Sequence, residues 1–258
     1  MESRSLQLVL QYDGSGFAGW QRQPDERTVQ GVVEEAVQRL CGTRVAVMGA
    51  GRTDAGVHAL GQSAGVRVPE RWTPTEMLRA LNAVLPRDVR VARVSEMRAD
   101  FHARFSALSR SYRYLVGTDQ DAENPFRAPR ELVWRRPIDR ALLDSAAGLV
   151  TGDHSFRGFA VKGTAPQTDD HRCNVRAAMW SEREGGLSFS ITANRFLHHM
   201  VRFLVGTMLD IAAGRREPGD MGKLLAAADN SEVSPPAPAH GLYLESVEYP
   251  QELYLADA

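Results

Sequence analysis

The order of the hydrophobic periods is what most limits the folds open to this chain. Residues 6–12 alternate apolar and polar side chains, as a half-buried strand does, and Asp13-Gly14-Ser15-Gly16 ends the run. Over residues 28–40 the apolar positions Val29, Val32, Val33, Ala36, Val37 and Leu40 recur at helical spacing, with Thr28 placed to cap them. Residues 44–48 and 63–68 alternate again and predict two strands. Thr73-Pro74-Thr75-Glu76 starts a second helix that runs through Met77, Leu78, Leu81 and Val84 to Pro86, and residues 89–94 predict another strand. Strand, helix, strand, strand, helix, strand is the ferredoxin-like plan, an antiparallel sheet with both helices on one face and the other face free.

After a connector at residues 97–108 the order starts again. Residues 109–118 read as a strand with Tyr112 and Tyr114 on one face, and residues 132–134 as a short extension. A helix follows over 138–150, then a hairpin of 174–182 and 187–193 around Gly185-Gly186. A long helix is expected from Asn194 or Arg195 to Ala213, a smaller one over 221–227, and a last strand over 242–249 beyond the rigid Pro235-Pro236-Ala237-Pro238. The expected fold is α+β: two ferredoxin-like (βαββαβ) domains, residues 1–105 and 106–258, forming an extended mixed, mainly antiparallel sheet with helices on one face.

Between two of the first-half strands lies Gly49-Ala50-Gly51-Arg52-Thr53-Asp54-Ala55-Gly56-Val57-His58-Ala59-Leu60-Gly61-Gln62. Glycine is costly in backbone entropy, so this density implies left-handed turns or a backbone that something must approach closely. Asp54 sits mid-loop, with Arg52 two residues before it. Ordinary turn chemistry accounts for an Asp, a small residue and a Gly, and Thr53 or Asp54 suits the cap of a short turn from Ala55. A carboxylate held on a rigid loop at a strand end also suits a nucleophile or general base. A phosphate cradle does not fit: the glycines miss the dinucleotide spacing, no Gly-Lys-Ser/Thr follows, and the chain's lysines are Lys162 and Lys223 alone. Earlier in the chain, Phe17 reads as a plug over the core, whereas Trp20, beside Gln21 and Gln23, could face a ligand.

Charge is unevenly placed. All 31 Lys and Arg lie at or before Lys223, and six of the 32 acids lie beyond it, so a basic body precedes an acidic tail although the net charge is −1. Arginine makes up nearly all the cations, which favours bidentate phosphate contact and base stacking. The most apolar segment, 196–213, is broken by His198, His199, Arg202 and Asp210, so no membrane span is expected. Met1-Glu2-Ser3-Arg4 leads directly into a strand, so no secretory leader is expected. Cys41 and Cys173 are far apart and lack metal-ligand spacing, which fits a reducing cytoplasm.

On the expected long helix, Arg195, His198, His199 and Arg202 would share one stripe, opposite Leu197, Met200, Val201, Leu204, Val205 and Met208. Arg202 is the residue expected to pair with a buried carboxylate, Asp54 being the best candidate. In Arg110-Ser111-Tyr112-Arg113-Tyr114 aromatic and basic residues alternate, a pattern suited to a stacked, flipped base with arginines at phosphates, or simply to two tyrosines packing in a sheet. His198-His199 lacks a further metal ligand, and no metal site is expected there. Asp169-Asp170-His171 reads as a solvent-exposed polar loop. Arg157-Gly158-Phe159-Ala160 matches the start of an RNA-recognition signature that Val161-Lys162-Gly163-Thr164 then leaves. The residues alone also accommodate a non-catalytic RNA-binding module, or a metal-dependent phosphodiesterase using Asp54, His58 and the acidic loop.

Read together, the segments resemble the tRNA pseudouridine synthase A family. The matching pieces are Tyr12-Asp13-Gly14 with Phe17, Gly19, Trp20 and Gln21, the loop from Gly51 to Ala59, Arg110-Ser111-Tyr112-Arg113-Tyr114, Phe196-Leu197-His198-His199-Met200-Val201-Arg202, and Pro238-Ala239-His240-Gly241-Leu242-Tyr243-Leu244. Residues 161–174 depart from the family pattern. The resemblance implies isomerisation of uridine to pseudouridine in the anticodon arm of tRNA, at the thirty-eighth to fortieth nucleotides, by a cytoplasmic homodimer without cofactor or metal. It implies Asp54 as nucleophile, Tyr112 stacked on the target base and suited to accept its C5 proton, and Arg202 paired with Asp54. Arg52 would help to flip the nucleotide, and Leu242 or Leu244 would form an apolar wall.

Overall fold

The computed structural model describes residues 3–164 and 168–255. Along the chain run β1 (Ser3–Tyr12), α1 (Val29–Cys41), β2 (Met48–Gly49), β3 (His58–Pro69), α2 (Pro74–Val84), β4 (Val89–Met97), β5 (Ser109–Gly117), β6 (Leu132–Val133), α3 (Arg140–Leu149), β7 (Gly152–Ser155), β8 (Arg172–Arg183), β9 (Gly186–Ala193), α4 (Met200–Ala212), α5 (Asp220–Leu225) and β10 (Leu242–Glu248). The fold is α+β, and it divides into two compact units, Met1–Ser109 with Tyr243–Ala258, and Arg110–Leu242.

In the first unit β1 lies between β3 and β4, antiparallel to both, and β2 is antiparallel to β3. β10 joins β3 in parallel, Tyr243 opposite His58 and Leu244 opposite Ala59. The helix signals act as expected. Thr28 Oγ1 accepts from Gly31 N–H, and left-handed Gly42 ends α1. Thr73 and Glu76 form a reciprocal capping box over Pro74. Leu6, Leu8 and Leu10 of β1, Val29, Val33 and Val37 of α1, and Met77 and Leu81 of α2 are fully buried.

Three expectations for this unit need correction. The strand expected at 44–48 shrinks to Met48–Gly49, and the next begins at His58 rather than Ser63, so residues 58–62 of the glycine-rich segment are strand. The second face of the sheet is not free either. Met97, Phe101, Ala103 and Tyr249 form a cluster joined by Val247, Leu253 and Tyr254. Its reason is polar: Gln7 and Ser63 are each 1% exposed on the sheet and need partners. Gln7 Nε2 donates to Ser63 Oγ at 2.9 Å, and the Tyr249 hydroxyl bridges Ser63 Oγ and the Ala103 carbonyl.

In the second unit β5 pairs antiparallel with β9, β9 with β8 and β8 with β7, while β6 runs parallel to β5. The hairpin turns at Gly185, whose φ of 75° is left-handed. β7, Gly152-Asp153-His154-Ser155, went unforeseen because it carries no apolar alternation. The long helix starts at Met200, not at Asn194 or Arg195. Asn194 exchanges hydrogen bonds with Asn174, Arg195 is drawn to Asp169, and His199 has a φ of 61°, so the residues before Met200 cannot wind in. Arg195, His198, His199 and Arg202 therefore share no helical stripe, although Met200, Val201, Leu204, Val205 and Met208 are buried as expected.

Replacing Thr73 by Ala removes both halves of an exposed capping box, and a loss of about 1 kcal/mol is expected. Urea unfolding should show it as a lower midpoint with an unchanged slope.

Candidate active site

The Asp54 loop is built by backbone fit. Between β2 and β3, the Ala50 N–H reaches back to the Ser63 carbonyl at 2.8 Å. Arg52 is exposed, Thr53 is buried and Asp54 is half-buried. The Val57 N–H donates to the Asp54 carbonyl at 3.2 Å, closing a turn over Gly56, whose φ of 79° is one that an L side chain rarely takes. Beneath the loop the Trp20 N–H donates to the Thr53 carbonyl at 3.0 Å, and the hydroxyls of Thr53 and Tyr12 bond at 2.8 Å. Gln62 Nε2 donates to the Gly51 carbonyl at 3.0 Å.

Glycines make this approach possible. A Cβ on Gly14 would stand 2.1 Å from the Val57 carbonyl oxygen, one on Gly19 2.7 Å from the Thr53 carbonyl oxygen, and one on Gly49 2.5 Å from the Trp20 indole. Gly14 N–H also donates to His58 Nδ1 at 3.0 Å, with Asp13 Oδ1 at 3.3 Å from the same nitrogen and the Tyr243 ring stacked 4.8 Å away. Burial pushes the Tyr12 phenol up to about 12, with hydrogen bonding to Thr53 and Gln62 pulling the other way, so it remains a neutral hydroxyl.

In the second unit Tyr112 lies on β5, 8% exposed, with its ring edge-on to Phe196 at 5.0 Å. Tyr114, on the same face, is structural: its hydroxyl donates to the Pro238 carbonyl at 2.8 Å, and burial raises its pKa. Gly241 lacks a Cβ because the Tyr114 ring occupies that space. Arg202, on the first turn of α4, donates from Nε to the Ala237 carbonyl at 2.7 Å, while the Ala237 N–H donates to the Arg202 carbonyl at 2.9 Å. Leu242, the last residue of this unit, is buried, and Leu244, which belongs to the first unit, is fully buried. Burial first, and Arg202 second, hold the His240 pKa below its usual value.

Chemically, the first unit offers a carboxylate on a backbone fixed at both sides of it, the condition a nucleophile or base requires. Arg52 and Asp54 share that loop, and Leu244 pairs with β3 just beyond it. Trp20 faces no ligand: it is 2% exposed, packed beneath Gly49. Phe17 is a buried plug, with Arg27 stacked over its ring at 4.1 Å. Asp169 is not solvated either, since its side chain is 9% exposed in a salt bridge with Arg195 that lowers its pKa. Phe159 is fully buried in a short turn, which removes the RNA-recognition signature, and Ala165, Pro166 and Gln167 of the divergent segment lie outside the described residues. Sequence reasoning missed the grips of Tyr12 and Gln62 on the loop. Their signal was present only as isolated polar residues at apolar strand positions.

Gly19→Ala should strain a φ of 94° and press on the Thr53 carbonyl, costing about 1–3 kcal/mol in chemical unfolding. His240 gives a pH test. Its folded pKa is depressed, so the unfolded chain binds the proton more readily, and stability is lost as pH falls through about 6.5 and below. The melting temperature of the wild type should therefore fall more steeply on acidification than that of His240→Gln.

A family model described as tRNA pseudouridine synthase matches residues 8–106 and 146–250. A protein of Chloroflexus aurantiacus named tRNA pseudouridine synthase A is 42% identical, covering 97% of this chain and 90% of its own length. Proteins of the same name from Methylococcus capsulatus and Geobacillus kaustophilus are each 40% identical over 97% of this chain, and over 92% and 96% of their own lengths. With identity at this level along nearly the whole chain, the protein belongs to the tRNA pseudouridine synthase A family.

Proposed function

We propose that this chain isomerises uridine to pseudouridine in the anticodon stem-loop of tRNA, at the thirty-eighth to fortieth nucleotides, with Asp54 as nucleophile and no cofactor. As a member of its family it is a tRNA pseudouridine synthase, an isomerase acting on tRNA. The observation that supports Asp54 as nucleophile is its half-buried place on a loop gripped from below.

The reaction breaks the bond from N1 of the uracil to C1′ of the ribose and forms one from C5 to C1′. C5 gives up its proton and N1 gains one, so atoms and charge balance. Such a rearrangement needs a carboxylate to take up the reacting centre and walls that keep the detached base in place. Asp54 supplies the carboxylate. Tyr112 is the stacking platform and the acceptor suited to the C5 proton, and its edge-on contact with Phe196 holds the ring in one plane. Arg202 is assigned the ion pair with Asp54, Arg52, exposed on the loop, the flipping of the nucleotide, and Leu242 or Leu244 the apolar wall. The arginine-rich body supplies phosphate contacts. A homodimer acting in the cytoplasm completes the proposal.

Tritium placed at C5 of the uridines in an anticodon-arm transcript leaves as water only when the base is re-attached through C5. Wild type should release it with or without a chelator. Asp54→Asn should bind the tRNA and release none. Tritium release by Asp54→Asn at the wild-type rate would sink the nucleophile assignment, and a tRNA-binding wild type that releases none would sink the isomerase reading for this substrate.

A further inference from the structure

The strand register beneath the Asp54 loop carries an irregularity that the assigned roles do not use. Leu10 of β1 stands opposite Gln62 of β3, but Tyr12 stands opposite Ala59, so Leu60 and Gly61 together face Gln11. This two-against-one bulge turns the local strand and re-aims the side chains on either side of it. Those flanking side chains are Tyr12 and Gln62. Tyr12 is 5% exposed and Gln62 is fully buried, and each spends a polar group on the loop: the Tyr12 hydroxyl on Thr53 Oγ1 at 2.8 Å, and Gln62 Nε2 on the Gly51 carbonyl at 3.0 Å. Apolar residues would fill these core positions at less cost in desolvation. The Gly61 position is equally constrained, since a Cβ there would lie 2.3 Å from the Glu245 carbonyl oxygen. The two grips land on the residue just before Asp54 and on the one three before it, which leaves Arg52 between them exposed.

We propose that Tyr12 and Gln62 are positioning residues for Asp54: they fix the loop backbone so that the carboxylate is presented in one geometry, and losing either grip slows turnover without weakening tRNA binding. The inference rests on the reading of Asp54 as nucleophile. Neither residue is given a chemical role, and the Tyr12 hydroxyl stays bonded within the core rather than facing the substrate. A misplacement of about 1 Å in a reacting group costs on the order of 100-fold in rate, so a loop released from one of its two side-chain grips should lose about 10–100-fold in kcat.

The experiment measures tritium release and tRNA binding by the full chain with Tyr12→Phe, Thr53→Val, the double variant Tyr12→Phe with Thr53→Val, Gln62→Leu and Asp54→Asn, each with its thermal melt. Tyr12→Phe and Thr53→Val break the same hydrogen bond from opposite ends while keeping shape. Each should lower kcat by about 10–100-fold with KM within about 3-fold, and the double variant should be no slower than the worse single one. Gln62→Leu should show the same split between kcat and KM. Wild-type kcat in both Tyr12→Phe and Thr53→Val overturns the proposal. So does a kcat loss that merely follows the unfolded fraction and vanishes on cooling. Should Tyr12→Phe fail to fold, Thr53→Val alone decides. Wild-type turnover by Asp54→Asn removes the nucleophile reading itself, whereas an inactive Asp54→Asn beside a fully active Tyr12→Phe removes only the positioning role.

Discussion

Close approach at a few glycines is the contact on which the Asp54 loop of the first unit depends. At Gly14 and Gly19 a single methyl group would enter space already held by a carbonyl of the Asp54 loop, and at Gly49 space held by the Trp20 indole. The most flexible residue type thus yields a rigid loop, because its freedom is spent once, on folding, to admit neighbours that then leave no room for movement. Hydrogen bonds from Trp20, Tyr12 and Gln62 act at that short range, and the turn over Gly56 closes the far side. A side chain held through its own backbone loses little further entropy when it meets a substrate, which is what preorganisation means for a carboxylate.

The second unit reaches rigidity by another route. There the Pro-rich segment is locked to α4 through Arg202 and Ala237, each bonding to the other, and to β5 through the Tyr114 hydroxyl. Proline fixes φ but supplies no N–H, so a segment of this composition needs such anchors from outside to hold one position. Arg202 takes part in the anchoring through Nε of its guanidinium and through its backbone carbonyl.

Much of this architecture was legible in the chain because it is written in local spacing. Thr28, Thr73 with Glu76, and the alternation of β1 act over a few residues, and period and capping see that range. The start of α4 differs for the complementary reason: Arg195, Leu197, His198 and His199 keep helical spacing with the residues that follow, but a left-handed His199 and the pull of Asp169 on Arg195 override it, and neither leaves a mark on periodicity. Trp20 reads as able to face a ligand because its amide neighbours are polar, when its place is set by a glycine far along the chain. Asp54 stands out as a candidate from its loop, whereas the contacts of Tyr12 and Gln62 with that loop do not, since strand pairing alone brings those partners near.

The parallel seat of β10 against β3 bears on how the protein is made. Residues 243–258 belong to the compact unit whose other members are residues 1–109, so all of residues 110–242 must leave the ribosome before that unit is whole. At about 5–20 residues per second the wait is on the order of ten seconds. Throughout it the His58 end of β3 lacks its parallel neighbour, and Ser63 lacks the Tyr249 hydroxyl. Nascent chains at this stage would expose an unpaired strand edge beside a buried-polar patch, the kind of surface that chaperones hold, so synthesis order gives the first half of the chain a vulnerability that the finished protein does not retain.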